Sequence, residues 1–295
     1  MIDEVRLLAV GPYGSGKTTF IAALWNALMD ADKSALAVDS VTDSDKSYLA
    51  EIRDRWLKFE PVGRTDVDRH EHIELALRTD AGQRLRLSVP DISGERVERH
   101  VIDRSWARQF DELVSQCTGL LFFIGPEVKD PHRLDDAQLI AAEVADVAAD
   151  AASAPSAQSV QAPLPEWTAD ICATQVMLVE LLQLMTERRA GHPLPAVVII
   201  SAWDIWRDQT KGPRNWLRQR LPLLSQFLDG NEQLPCDVVG ISAQGGDYTS
   251  EQQRDHLKKL APHERPVVDD GQAVSHDITR PIASLIARMA RPNAR

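Results

Sequence analysis

The chain is poor in cysteine, in long apolar runs and in positive charge. Its 295 residues include three cysteines, Cys117, Cys172 and Cys236, far apart and without a CxxC pair. That excludes a disulfide framework and a cysteine-built zinc site, and it fits a reducing compartment. No apolar stretch approaches the roughly 20 residues of a membrane span. Met1-Ile2-Asp3-Glu4 has neither the basic start nor the apolar run of a secretory signal. The expectation is a soluble, cytoplasmic protein. Lys and Arg total 33 against 44 Asp and Glu, a formal net charge of −11. A general nucleic-acid-backbone binder needs a clustered basic surface, which this deficit argues against. The closing Arg288, Arg291 and Arg295 are too few for a nucleic-acid or membrane patch. No internal repeat is evident.

What is present is ordinary globular composition, 43% hydrophobic and 26% charged, enough for one enlarged domain or two compact ones. Val5 to Val10 reads as a buried strand, followed by a glycine turn. A helix then repeats Phe20, Ala23, Leu24, Ala27 and Leu28 at the spacing of one apolar stripe. Residues 44 to 59 read as a surface helix. Ile73 to Leu77 and Leu85 to Val89, joined through Ala81-Gly82, read as an antiparallel hairpin. A helix is expected to fill 95 to 115. Buried strands follow at Gly119 to Ile124, Ala196 to Ile200 and Asp237 to Ile241. Helices are expected at 169 to 187, 213 to 228 and 277 to 289. Strands alternating with helices imply a mostly parallel sheet covered on both faces. The stretch 127 to 168 breaks this rhythm with an acidic, Ala-rich run and then a Pro/Ser/Ala linker. Because the strand pattern resumes after it, it reads as an insertion in a single domain spanning 1–295.

The sharpest motif is Gly11-Pro12-Tyr13-Gly14-Ser15-Gly16-Lys17-Thr18, a full GxxxxGK[ST] between a strand and a helix. Such a loop turns successive backbone N–H groups toward phosphate oxygens, and the following helix adds its dipole. Lys17 is the residue for the β- and γ-phosphates and for the charge that develops in phosphoryl transfer. Thr18 is the hydroxyl for Mg²⁺. Gly11, Tyr13, Gly14, Ser15, Gly16, Lys17, Thr18 and Thr19 are therefore candidate nucleotide-binding residues. Such a site also needs a metal-holding carboxylate at another strand end. Asp91 fits, opening Asp91-Ile92-Ser93-Gly94, with Gly94 placed to approach the γ-phosphate.

The order of strand, phosphate loop, helix, DxxG hairpin and a late strand ending in aspartate resembles the Ras-like GTPases of the translation-factor-related (TRAFAC) class. Gly11 to Trp25 and Asp91 to Glu95 resemble the bacterial double-GTPase families, which are associated with multi-component conflict or defence systems. The resemblance implies a three-layer α/β/α fold with a six-stranded, mostly parallel sheet and one antiparallel edge strand. It also implies GTP as ligand, Mg²⁺ as cofactor and a protein partner. In those GTPases an [NT]KxD motif reads guanine. Ser201-Ala202-Trp203-Asp204 stands in its place, with Asp204 at the discriminating position, Ser201 as a loop-bracing hydroxyl and Ala202 where the family has lysine. Ser242-Ala243 resembles the element whose alanine N–H meets the guanine O6. The resemblance also points to Thr65, with Thr42 as competitor, as the threonine that binds Mg²⁺ and γ-phosphate. Glu95 follows the DxxG where Ras-like proteins have Gln, and a carboxylate there implies slow intrinsic hydrolysis. An ATPase and a nucleotide-stabilised module without turnover remain the alternatives.

Other signals have plainer readings. His70-Glu71-His72 is a polar strand start rather than a zinc site. Trp25, Trp203 and Trp206 are packing residues by default. Arg64 and Arg96, although beside the expected switch positions, are exposed arginines of a common kind.

Overall fold

The computed structural model describes residues 4–30, 34–62, 72–90, 104–128, 172–189 and 191–290. One sheet runs through them. Its strands are β1 (Val5–Val10), β2 (Leu36–Ser40), β3 (His72–Thr79), β4 (Arg84–Pro90), β5 (Gly119–Ile124), β6 (Ala196–Ser201), β7 (Cys236–Ser242), β8 (Val267–Asp269) and β9 (Val274–Ser275), in the spatial order β2-β3-β4-β1-β5-β6-β7-β8-β9. The helices are α1 (Lys17–Leu28), α2 (Asp43–Leu57), α3 (Arg108–Gln116), α4 (Thr174–Glu187), α5 (Pro213–Arg220), α6 (Pro222–Gly230), α7 (Glu251–Leu257) and α8 (Arg280–Ala290).

The middle of the sheet, β4-β1-β5-β6-β7, is parallel. Its strands are buried on both faces, which explains their continuous apolar sequences. Alternation divides the side chains between two cores. Leu7 and Ala9 join a cluster with Phe20, Leu24, Leu49, Trp56, Ile282 and Leu285 from α1, α2 and α8. Leu8 and Val10 face Val114, Leu178, Leu182, Leu217 and Leu224 from α3 to α6. Helices thus cover both faces, as the strand–helix alternation implies.

The sheet corrects the sequence reading in extent. Among the described residues it has nine strands, not six, and β2, β3, β8 and β9 all run antiparallel to their neighbours. Leu36–Ser40 carries only two large apolar residues and β8 and β9 are three and two residues long. None offers a pattern long enough to read from sequence. The hairpin has the anticipated partners, with Ile73 opposite Val89 and Leu77 opposite Leu85. Its turn uses Gly82 at φ 78°, a left-handed conformation that glycine adopts without a Cβ clash.

Three helices differ from expectation for identifiable reasons. Pro222 lacks an N–H, so 213 to 228 divides into α5 and α6, each with proline in its first turn. Helix α2 is less of a surface helix than its polarity suggests, since Leu49 and Trp56 are fully buried against α1. That second neighbour explains why Ile21, Ala22 and Trp25 of α1 are buried outside the expected stripe. Thr42, the competitor for metal binding, is the N-cap of α2, its hydroxyl accepting from the Asp45 N–H at 3.1 Å.

Candidate functional site

The glycine motif forms the connection between β1 and α1 at the C-terminal edge of the parallel strands. Gly14 and Gly16 take φ 69° and 83°. A Cβ on Gly16 would also lie 2.9 Å from the Ser201 side chain, and one on Gly11 would lie 2.5 Å from the Phe123 carbonyl oxygen. The loop is thus pressed against the ends of β5 and β6, and glycine is required by space as well as by backbone angle. Ser201 at the end of β6 donates its hydroxyl to the Ser15 carbonyl at 2.6 Å, the bracing contact anticipated for it. Lys17 folds back over the loop, its Nζ donating to the carbonyls of Gly11 at 2.7 Å and Pro12 at 3.0 Å and to the Ser15 hydroxyl at 3.2 Å. Ser15 is buried, whereas Tyr13 is 61% exposed on the outer side of the turn. No side chain caps α1 and no acidic residue lies in its first turn, so the positive end of its dipole opens toward the loop.

A second group of residues comes from the ends of β6 and β7. Ala202 takes a left-handed conformation, φ 50° and ψ 45°, and starts a single 3-10 turn, Trp203–Ile205. Trp203 is fully buried, donates its indole N–H to Asp269 of β8 at 2.9 Å, and fills the space left by Gly240, where a Cβ would sit 2.2 Å from its ring. It is a packing residue, as its default reading held. This anchor fixes the next residue, Asp204, whose carboxylate accepts the Ser242 hydroxyl. The Ser242 oxygen in turn accepts the Gly245 N–H at 3.1 Å. Trp206 lies elsewhere, packed beside Trp216 with Arg220 over its ring.

The two groups meet in one cavity of about 340 Å³. Its lining includes Gly14 and Gly16 from the glycine loop, Thr19 from the first turn of α1, Ser201, Ala202 and Asp204 at and after the end of β6, and Ser242 and Ala243 at and after the end of β7. Gly11, Tyr13, Ser15, Lys17 and Thr18 belong to the same motif but do not line this cavity. The sequence reading missed several lining residues: Ile205, Gln244, Gly246, Asp247 and Tyr248. The one available signal was the Gly245-Gly246 pair after a strand, which marks a turn but not its destination. The turn is built to close tolerances. Gly245 has φ 90°, with its Cβ position 2.3 Å from the Arg265 carbonyl oxygen. Asp247 accepts the Thr249 N–H at 2.9 Å and hydroxyl at 2.6 Å, and these bonds hold its carboxyl below the usual range. Burial, with the Asp247 charge beside it, raises the Tyr248 phenol.

Trp56 ties this turn to the opposite layer. Its indole N–H donates to the Ala243 carbonyl at 3.1 Å, and the Gln244 amide donates to the Trp56 carbonyl at 3.3 Å. Arg265 packs its guanidinium against the rings of Trp56 and Phe59, at 5.5 and 4.3 Å from their centroids.

Among the described residues no group of three or more His, Cys, Asp or Glu could hold a metal ion. Magnesium does not require one, because it retains waters and takes one or two protein oxygens beside phosphate. Thr18, the second residue of α1 and half-buried, offers a hydroxyl of the right kind next to the loop. Strand β4 runs parallel to β1, with Leu8 beside Ser88, so the chain leaves Pro90 at the same edge of the sheet. Asp91, Gly94, Glu95, Thr65, Arg64, Arg96, His70 and Glu71 lie outside the described residues, as does all but the start of the expected insertion at 127–168.

Fold and loop together define an α/β protein with a phosphate-loop motif at the C-terminal edge of a mixed sheet. A family model described as Double-GTPase 1 matches residues 8–285, and the chain belongs to that family. No curated protein matches it. Among solved structures, the signal recognition particle receptor SRb-GTP/SRX complex from Chaetomium thermophilum is similar at 14% identity, over 86% of this chain and 97% of that one, with a TM-score of 0.39. Likeness of that degree says nothing about function. No helix among the described residues is long and apolar enough to cross a membrane.

Proposed function

We propose that this chain binds GTP across the 340 Å³ cavity and the glycine loop, with Mg²⁺, and hydrolyses it slowly to GDP and phosphate. One observation carries the reading: Gly14, Gly16 and Thr19 share a cavity with Asp204, Ser242 and Ala243. A nucleotide needs those two chemistries side by side, amides for phosphate and a carboxylate for the base. Membership of the Double-GTPase 1 family supports the choice of GTP over ATP.

In this reading the loop amides and the N-terminus of α1 grip the β- and γ-phosphates. Lys17 exchanges its loop carbonyls for phosphate oxygens and spreads the charge that grows on them as water attacks in line. Asp204 accepts from the guanine N1–H and 2-amino groups, while the Ala243 N–H donates to O6. Adenine presents neither the same donors nor that acceptor. Thr18, Asp91 and Thr65 are the residues that would hold a magnesium ion, which would supply positive charge against the phosphates. Glu95 would orient the water, at a cost from its own charge that keeps hydrolysis slow. Loss of the γ-phosphate would then release the segments around Thr65 and Gly94 and change a partner surface, a switch within a multi-protein bacterial system. The single domain with an insertion at about 127–168 remains part of this proposal.

Competition against a fluorescent nucleotide tests the base. GTP should displace it at lower concentration than ATP, and equal or ATP-favoured displacement would overturn the guanine assignment. Phosphate release, measured with and without candidate partners, tests turnover. Binding without release under every condition would leave a nucleotide-stabilised module in place of an enzyme.

A further inference from the structure

Ala202 stands where the resembling families carry a lysine whose stem packs over the base, so one wall of the base site needs another source. Ala202 cannot supply it, since its side chain is a single methyl on a left-handed backbone. Two larger side chains line the same cavity. Ile205 ends the 3-10 turn that Asp204 occupies, lines the cavity and is 45% exposed, so its side chain is open to a ligand there. Tyr248 reaches the cavity from the turn after β7 and is half-buried, with its phenol raised by that burial.

From these placements we infer that Tyr248, with Ile205, forms the apolar wall that holds the purine ring in the site, replacing the missing lysine stem. This rests on the GTP reading above and deepens it by naming residues for base affinity. The turn carrying Tyr248 is suited to the role. The Asp247 N–H donates to the Gln253 side chain at 2.9 Å, Asp247 ties down Thr249, and Gly245 sits against the Arg265 backbone. A ring presented from so braced a turn loses little freedom when a base packs on it. The two walls also divide the work. Asp204 selects the base through its hydrogen-bonding edge, whereas Tyr248 and Ile205 grip any purine face.

The test compares GTP, inosine triphosphate and inorganic tripolyphosphate by calorimetric titration of the whole protein with magnesium. Tyr248→Ala should weaken both nucleotides by about tenfold or more, the scale of losing one base–aromatic contact. Tripolyphosphate affinity should stay unchanged, because the glycine loop is untouched. Tyr248→Phe should keep nucleotide affinity within about threefold, since the ring and not the hydroxyl provides the contact. Ile205→Ala, at an exposed position that the fold does not depend on, should give a smaller loss with the same pattern. Nucleotide affinity unchanged in Tyr248→Ala, or an equal loss for tripolyphosphate, would overturn the inference while leaving the GTP reading standing. No nucleotide binding by the unaltered protein would overturn both.

Discussion

The two ends of the cleft are built in opposite ways. At the end proposed for phosphate, eight consecutive residues carry the motif, and remote parts of the chain meet it at Phe123, Gly125 and Ser201. At the base end no segment is sufficient alone. Asp204 is set by Trp203, Trp203 by Gly240 and Asp269, and Ser242 joins Asp204 to the following turn. Ala243 is held from the other layer by Trp56. The end proposed for phosphate is a local device, and the end proposed for the base is a tertiary one. Removing the Lys17 charge should therefore remove polyphosphate binding without touching the fold. Changes at the base end should alter stability, selectivity or both.

The largest expected effect is at the phosphate end. Lys17→Ala should weaken triphosphate binding by at least about 100-fold, the loss of a charge-assisted contact to phosphate. Its cooperative melting should persist, because the hydrogen bonds of the Lys17 ammonium to Gly11, Pro12 and Ser15 stay within the same short connection. Retained affinity in a binding titration would erase the distinction between the two ends. Next comes Asp204→Asn. The amide can still accept the Ser242 hydroxyl, so the turn should stand, but it now donates where guanine also donates. Preference in competition assays should move by about tenfold or more from GTP toward xanthosine triphosphate, which offers a carbonyl there. No movement would count against contact with the base.

Gly240→Ala sharpens the comparison from the stability side. The new methyl would lie 2.2 Å from the Trp203 ring, so the buried indole must shift. A loss of about 1–3 kcal/mol in urea unfolding is expected, as for other overpacked cores. If stability is unchanged, Trp203 is not the rigid support described. The smallest effect is reserved for Trp56→Phe. This keeps most of the ring volume but removes the hydrogen bond to the Ala243 carbonyl, worth about 1 kcal/mol. GTP affinity should fall a few-fold and tripolyphosphate affinity should not change.

That division also explains what could be read from the amino-acid order. The loop and helix start at Gly11 to Thr18 were legible because all their residues are consecutive in the sequence. The parallel strands were legible because burial on both faces makes them continuously apolar, and the hairpin was legible from the short Ala81-Gly82 link between its strands. Asp204, Ser201 and Ser242-Ala243 were visible only as strand-end residues in a familiar order, and the shared cavity is what joins them to the loop. Tyr248 and Trp56 were invisible as site residues, since nothing local says that a turn or a distant helix returns to the cleft. The added strands β2, β8 and β9 failed for a related reason. They are short edge pieces held by pairing to neighbours rather than by their own apolar pattern.

The most direct test is a crystal structure with a non-hydrolysable GTP analogue and magnesium. The account predicts phosphates on the Gly14 to Thr18 amides, with the guanine edge against Asp204 and its face against Tyr248. A triphosphate seated elsewhere, or a base lying outside the cavity that Asp204 and Ala243 line, would contradict it.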